Sequence, residues 1–415
     1  MRQDAVRGTK GRPWLGLAWP VGGPTGWGQF GLGLGRSVWE MGGTVWALGG
    51  VETASSAMLP ADRVMLREWV PPSPDLPAGE GWVVFALGNG IGLPSGRPTM
   101  VTDRTDIKRA GLVVIEDVSC LTPEAVEYLK GLDARIAPSQ WVADALAAVG
   151  IPEVPVAVQG YDERVWMPRH AARIAPRVMV PTQHTGPFIF SGGKLEFRKG
   201  QDIVVAAFRQ VLDTYPDAVL VTAWDNPWPQ TMDGIWLAGH VKGVPAIRGG
   251  KADVTNWLVA NGIPARHVLD VGKVNPLELA AIVRSCDVGV FPNRCEGATN
   301  MVLVEALASG VPCVATVGHG HGMLKDVHAI ASRGQVPRGC RLFGTQDLTA
   351  DGWTEADPTD VAEAICYALD VDGSGLGINL VNTEWNDWTW HTRGARMFDA
   401  ILAQSPMTPT MECST

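Results

Sequence analysis

Two carboxylates bracket a short segment of this chain, Asn293 to Gly310, which reads NRCEGATNMVLVEALASG. Glu296 stands at its start, and Glu305 lies inside a helix-like pattern. An apolar, strand-like run, Asp287 to Phe291, comes just before. Strand, polar loop and helix start together make an anion site, because the first N–H groups of a helix have no internal partners and point outward. A carboxylate cannot serve a phosphate, but it accepts well from hydroxyl groups. The segment reads as a cradle for phosphate in the middle and polyols at both ends, which is the layout of a nucleotide sugar.

A second constellation, Ser191 to Gly200 (SGGKLEFRKG), also follows a strand and precedes a helix. Its glycines let backbone approach a ligand. Lys194, Arg198 and Lys199 put positive charge at the carboxyl end of a strand, where open α/β sheets bind ligands. It is not a P-loop, since GxxxxGK[ST] is absent. Alone it reads equally well as a solvated basic loop. Beside Glu296 and Glu305, the phosphate reading is favoured.

The elements that must position these residues alternate apolar runs with helical patterns, as in parallel α/β proteins. Strands are expected at Trp14–Trp19, Thr44–Leu48, Trp82–Leu87, Leu112–Ile115 and Pro155–Val158, with a helix near Gly28–Met41. Thr122-Pro123-Glu124 carries a cap, an early proline and an acid, and so starts a helix; Ser139 caps the next, which ends at Gly150. Pro168, Pro176, Pro181 and Pro187 interrupt the pattern from Tyr161 to Pro187 and mark a linker. A second unit follows, with strands at Phe188–Ser191, Ala218–Thr222, His267–Val271 and Pro312–Ala315 and a helix near Gln201–Thr214. Asn275 with Glu278 predicts another helix start. The expected domains are 1–166, a linker 167–186, a nucleotide-sugar-binding domain 187–383, a C-terminal helix 384–405 returning to the first domain, and a tail 406–415.

SGGKLEFRKGQD followed by FPNRCEGATNMVLVEALASGVP resembles the GT-B glycosyltransferases of the large retaining group that carries an E-x7-E motif, the family-4-like "glycosyl transferases group 1". Weaker similarity runs through PTGWG, ARIAPSQWVADALAAVGI and VQGYDERVWMP, so the resemblance covers most of the chain. It implies two Rossmann-like α/β domains facing each other across a cleft, and transfer of a sugar to an acceptor hydroxyl with retention of configuration and without a metal. It implies that Lys194 and Lys199, with Arg198 beside them, grip the donor diphosphate. Glu296 would contact donor sugar hydroxyls, and Glu305 the ribose. Backbone amides at Thr299, Asn300 and Met301 would hold phosphate. A glycine loop at Gly26 and Gly28 would close over it, and the base would lie near Lys273 and Val274.

Two departures stand out. Glu296 and Glu305 are nine positions apart, where the usual motif has eight. All eight histidines lie at position 170 or later, so none supplies the first-domain histidine of many relatives. Glu116 and Asp117, at the cleft end of a strand, are candidates for orienting the acceptor; both also read as ordinary loop acids.

Three motifs compete. Gly26-Trp-Gly28-Gln-Phe-Gly31 fits GxGxxG, but PVGGPT separates it from the strand, which argues against a dinucleotide site. Asp370-Val-Asp372 reads as a turn. Gly318-His-Gly-His-Gly322 reads as a flexible loop near the donor, since two histidines without a third ligand make a poor metal site.

Composition narrows the classes. The 415 residues imply two domains, and a net charge of −9 argues against a nucleic-acid footprint. Seven scattered cysteines without a CxxC pair suggest neither a disulfide framework nor zinc. Neither a signal peptide nor a spanning helix is expected, and a cytoplasmic enzyme with peripheral membrane contact left open is the reading. The co-substrate is a nucleotide sugar, UDP- or GDP-linked, with no other cofactor. The acceptor could be a glycan, a lipid-linked sugar or a small molecule, and the oligomeric state is open. Two alternatives share the fold: a non-catalytic nucleotide-sugar binder and a nucleotide-sugar epimerase.

Overall fold

The computed structural model describes residues 13–404, except 24, 54–57, 72, 74, 99–103, 169–184, 335, 338–351 and 374–384. Two parallel sheets organise it. The first contains β1 (Trp14–Leu17), β2 (Val45–Trp46), β3 (Gly81–Leu87), β4 (Ile107–Val113) and β5 (Ala134–Ile136), in the order β2-β1-β3-β4-β5. The second contains β6 (Phe188–Lys194), β7 (Val219–Asp225), β8 (Val268–Asp270), β9 (Val288–Phe291), β10 (Cys313–Thr316) and β11 (His328–Ile330), in the order β8-β7-β6-β9-β10-β11. Strand order reverses between β6 and β9, which pair directly. Ligands of open α/β sheets bind outside the carboxyl ends of strands at such a switch point. The chain places the Lys194–Lys199 loop after β6 and the Asn293–Asn300 loop after β9, so both cradle segments emerge there side by side.

Helices cover both sheets, and this is why the strands read as continuous apolar runs rather than alternating ones. Phe188, Ile189 and Phe190 of β6 and Val288 and Val290 of β9 are all buried. The helix Gln201–Thr214 presents Ile203, Val204, Ala207, Phe208 and Val211 to the core that holds Ile189, Val288 and Val290. The expected helix at Asn275 is present as Pro276–Ser285, with both bonds of its capping box formed. Among the described residues, no helix is long and apolar enough to cross a membrane.

The C-terminal helix, Trp390–Leu402, lies on the first domain against the helix Gly26–Glu40. Trp390 packs edge-on to Phe30 at 5.0 Å, and the Ser37 hydroxyl donates to the His391 carbonyl. The chain thus begins and ends its described part in one domain, and the second sheet is inserted between.

Some elements depart from the sequence reading. Pro155–Val158 is not a regular strand; Val156 makes only an isolated bridge to Ala137. Strand β4 starts at Ile107, five residues before the expected Leu112, because Ile107, Lys108 and Arg109 already pair with Gly81, Trp82 and Val83 of β3. Asp370 and Asp372 are not in a turn but in the helix Pro358–Gly373, where the Tyr215 hydroxyl donates to Asp370. Most of the expected linker, 169–184, lies outside the described residues.

Candidate functional site

The cradle is built on a buried network of ions. Glu296 is buried, and its carboxylate accepts from Arg198 Nη1 at 2.9 Å, from Lys199 Nζ at 2.5 Å and from the Asn293 amide. Burial alone would raise the Glu296 pKa; Arg198 and Lys199 outweigh it and bring the carboxyl down to about 2. The same desolvation, with Arg198 adding repulsion, lowers the pKa of Lys199, although Glu296 opposes the change. Lys194 Nζ sits 2.7 Å from Glu196 Oε1 and 5.1 Å from the centre of the Trp228 ring. Glu196 is buried, and despite that burial Lys194 and Arg198 hold its pKa below the usual carboxylate range.

Glu116 completes the set from the other domain. Its Oε1 is 3.5 Å from Arg198 Nη2, and its Oε2 accepts from Asn89 Nδ2 at 2.6 Å. The three cations Lys194, Arg198 and Lys199 therefore face three carboxylates, Glu116, Glu196 and Glu296. The cradle is internally neutral. Asp117 behaves differently: it is buried and caps its own turn through the Ser119 amide at 3.0 Å.

The start of the helix Met301–Ala308 forms the floor. Asn300 precedes it with φ of 55°, a conformation that non-glycine residues rarely adopt, and its side chain makes no cap bond. Thr299 Oγ1 and Asn300 Nδ2 are buried without a hydrogen-bond partner among the described residues. Buried polar atoms of this kind demand an explanation, and a bound polar ligand is one. Gly297, in the same loop, lies against the first domain: a β-carbon there would fall 2.2 Å from the Ile115 carbonyl oxygen. Ser139 Oγ donates to the Gly297 carbonyl at 2.7 Å across the same seam.

Glu305 lies one turn along this helix and keeps some open surface. Burial, helped by repulsion from Asp162, raises its pKa to about 8, although the Trp166 side chain donates to it. The folded protein therefore holds this proton up to about pH 8, while a glutamate in the unfolded chain loses it near 4.5. Between those values the folded state binds more protons, so stability falls as pH rises. Glu305→Gln is expected to flatten that fall, read as urea midpoints of variant and wild type across the window; parallel curves would refute the assignment.

The remaining sequence candidates lie as follows. Gly26 and Gly28 do not form a loop; they occupy the first turn of the helix Gly26–Glu40, capped by Thr25. Gly26 opens on free space, whereas a β-carbon at Gly28 would fall 1.7 Å from the Gly22 carbonyl oxygen, so Gly28 serves packing. The turn before them, with Gly22 and Gly23 at φ of 87° and 71°, is the true loop. Lys273 is exposed beyond β8, and Val274 packs into the second core.

Sequence reasoning missed several groups. Glu196 gave no periodic signal, since its role comes from two flanking cations. Residues 319–323 of the histidine loop form a packed 3-10 turn rather than a flexible loop, because the Gly320 amide bonds to the Glu296 carbonyl. His321 is buried there; burial lowers its pKa to about 4, so it is neutral, and its Nε2 has no hydrogen-bond partner among the described residues. Asp202, His240 and Glu355 bring ligand atoms within 4.8 Å of one another, as a metal site would. The guanidinium of Arg294 already bonds to both carboxylates, so an internal cation serves them.

Comparison with known proteins follows this geometry. Residues 186–370 match the family described as Glycosyl transferases group 1. A curated relative from Mycolicibacterium smegmatis, a GDP-mannose-dependent alpha-(1-6)-phosphatidylinositol monomannoside mannosyltransferase, is 25% identical over 225 residues, 52% of this chain and 47% of that protein. The chain thus spans about half the length of the curated relative it matches. Among solved structures, an alpha,alpha-trehalose-phosphate synthase (UDP-forming) from Burkholderia vietnamiensis aligns with a TM-score of 0.61 at 11% identity, covering 94% of this chain and 100% of that one. A glycosyltransferase from Rickettsia africae aligns at 0.57 with 12% identity, covering 95% and 99%. The fold is GT-B, with two Rossmann-like domains. Residues 186–370 thus match a glycosyl-transferase domain, within a chain whose fold is shared with these solved structures.

Proposed function

We propose that the protein moves a sugar from a nucleotide-sugar donor to an acceptor hydroxyl, in the cleft between its two domains. One observation carries the reading. The start of the helix Met301–Ala308 offers amides and two polar atoms buried without partners among the described residues, in the loop whose Glu296 holds Lys199 and one turn from Glu305.

In this reading the donor diphosphate lies over Thr299, Asn300 and Met301, and takes Lys194 and Lys199 from their carboxylate partners. Glu305 accepts from the ribose hydroxyls. Glu296, released from Lys199, keeps Arg198 and turns an oxygen to the donor sugar. The bond from the anomeric carbon to the phosphate oxygen breaks with its electron pair passing to the diphosphate. The acceptor oxygen bonds to that carbon on the same face, and its proton passes to the leaving phosphate. Fixed cations and helix-end amides stabilise the developing charge, so this route asks for no divalent metal. Glu116 faces the site from the acceptor side. The curated relative's use of GDP-mannose supports a GDP-linked donor; the UDP-forming structural neighbours keep UDP in the panel.

A thermal-shift panel of UDP, GDP, ADP and CDP with their sugars tests the site. A ligand at about 100 times its dissociation constant stabilises by about 2.7 kcal/mol. One nucleotide is expected to raise Tm strongly, and its Glu305→Ala counterpart to respond weakly. A flat panel, or an unchanged response in the variant, would contradict the assignment.

A further inference from the structure

Arg294 is fully buried; it lies within the Asn293–Gly310 segment, whose sequence reading gives it no role, yet it joins four segments of the second domain. Its Nη1 and Nη2 bond to Asp202 at 2.7 Å each, at the start of the helix Gln201–Thr214. Its Nε and Nη2 bond to Glu355 at 2.5 and 2.7 Å. Nη1 also donates to the Phe197 carbonyl at 2.6 Å, and its guanidinium lies 3.7 Å from the centre of the Phe197 ring. Its backbone amide bonds to the Arg198 carbonyl, and its own carbonyl accepts from the Thr354 amide. One side chain thus fixes the basic loop, the Glu296 loop and residues 354–355.

Residue 353 extends this frame across the cleft. Trp353 packs on Phe197 and Cys295, and its indole N–H donates to the Glu116 carbonyl at 2.6 Å. The Cys295 thiol donates to the same carbonyl at 3.3 Å. Two donors from the second domain therefore hold the Glu116 backbone, whose side chain faces Arg198. A rigid frame of this kind sets where a carboxylate can stand to within a few tenths of an ångström, which matters for groups that must meet a reacting atom.

We propose that Arg294, acting through residues 354–355 and Trp353, is a positioning residue that sets the Glu116 carboxylate against the donor cradle. The proposal rests on the transfer reading for its kinetic consequence, but the mechanical part stands by itself: the frame also seals the Cys295 thiol between the domains. Trp353→Phe keeps an aromatic, apolar side chain and removes the N–H donor; Arg294→Lys keeps the charge and removes the fork that spans Asp202 and Glu355.

The test uses the full chain with UDP-glucose and GDP-mannose as probes, and release of nucleoside diphosphate as turnover. For Trp353→Phe, kcat is expected to fall about tenfold or more while the dissociation constant of the nucleotide changes less than about threefold. Arg294→Lys is expected to show the same split. Labelling of Cys295 by a thiol reagent, read by peptide mass, is expected to quicken at least about tenfold in Trp353→Phe. Unchanged labelling in a folded variant, or loss of binding in step with turnover, would overturn the proposal. If the wild type neither binds nor turns over either probe, the transfer reading fails, and the labelling rates still decide whether the frame holds Glu116.

Discussion

Lys199→Ala is expected to lower kcat/KM for the donor about 100- to 1,000-fold, the range found when a preorganised charge-stabilising donor is removed. The argument is physical. Lys199 is buried, and desolvation already lowers its pKa, so its charge acts in a medium that screens poorly. Its partner Glu296 retains Arg198 and Asn293, so the loop that carries it keeps two of its three contacts. Most of the loss should therefore fall on the bound diphosphate and its transition state rather than on folding. Steady-state kinetics with the donor found in the panel, beside a melting curve, checks this. Turnover within a few-fold of wild type would place the phosphate elsewhere.

Arg294→Met should have the largest effect on stability. The substitution leaves Asp202, fully buried, and Glu355 without their cation. Removing one partner of a buried pair costs about 3–5 kcal/mol, because the surviving charge stays out of water. For a domain of this size that corresponds to a fall in Tm of roughly 6–20 °C. His240 Nε2 lies 2.9 Å from Glu355 Oε1 and stays beside it in the variant. Chemical denaturation of variant and wild type measures the cost; a value below about 1 kcal/mol would show that the network relaxes.

How far the chain could be read varied by element, for reasons that are local. The strands beside the switch point, Phe188–Lys194 and Val288–Phe291, are buried on both faces, so their apolar runs were unmistakable. The helix at Asn275 announced itself through capping chemistry that depends on neighbours three residues apart. The edge strands Ala134–Ile136 and His328–Ile330 were missed because three residues carry no period. The cradle residues were legible in kind but not in state. Lys194, Arg198 and Lys199 read as free cations, while the structure pairs each with a carboxylate brought from positions 116, 196 and 296. The pairing with Glu116 and Glu296 is long-range and leaves no spacing in a sequence. The Gly26–Gly28 segment reads as a loop through the family resemblance; here Thr25 caps a helix that begins at Gly26, and the Gly22 carbonyl oxygen lies where a β-carbon at Gly28 would stand.

The most direct test of the account is the fate of the donor. The nucleotide sugar that raises Tm is incubated with the protein, and the products are followed by proton NMR. The account predicts release of the nucleoside diphosphate and a sugar, freed or transferred, that first appears with its anomeric configuration retained. A nucleotide sugar recovered unchanged would mean a binder without turnover, one recovered with an altered sugar still attached would mean an epimerase, and either would contradict the central claim.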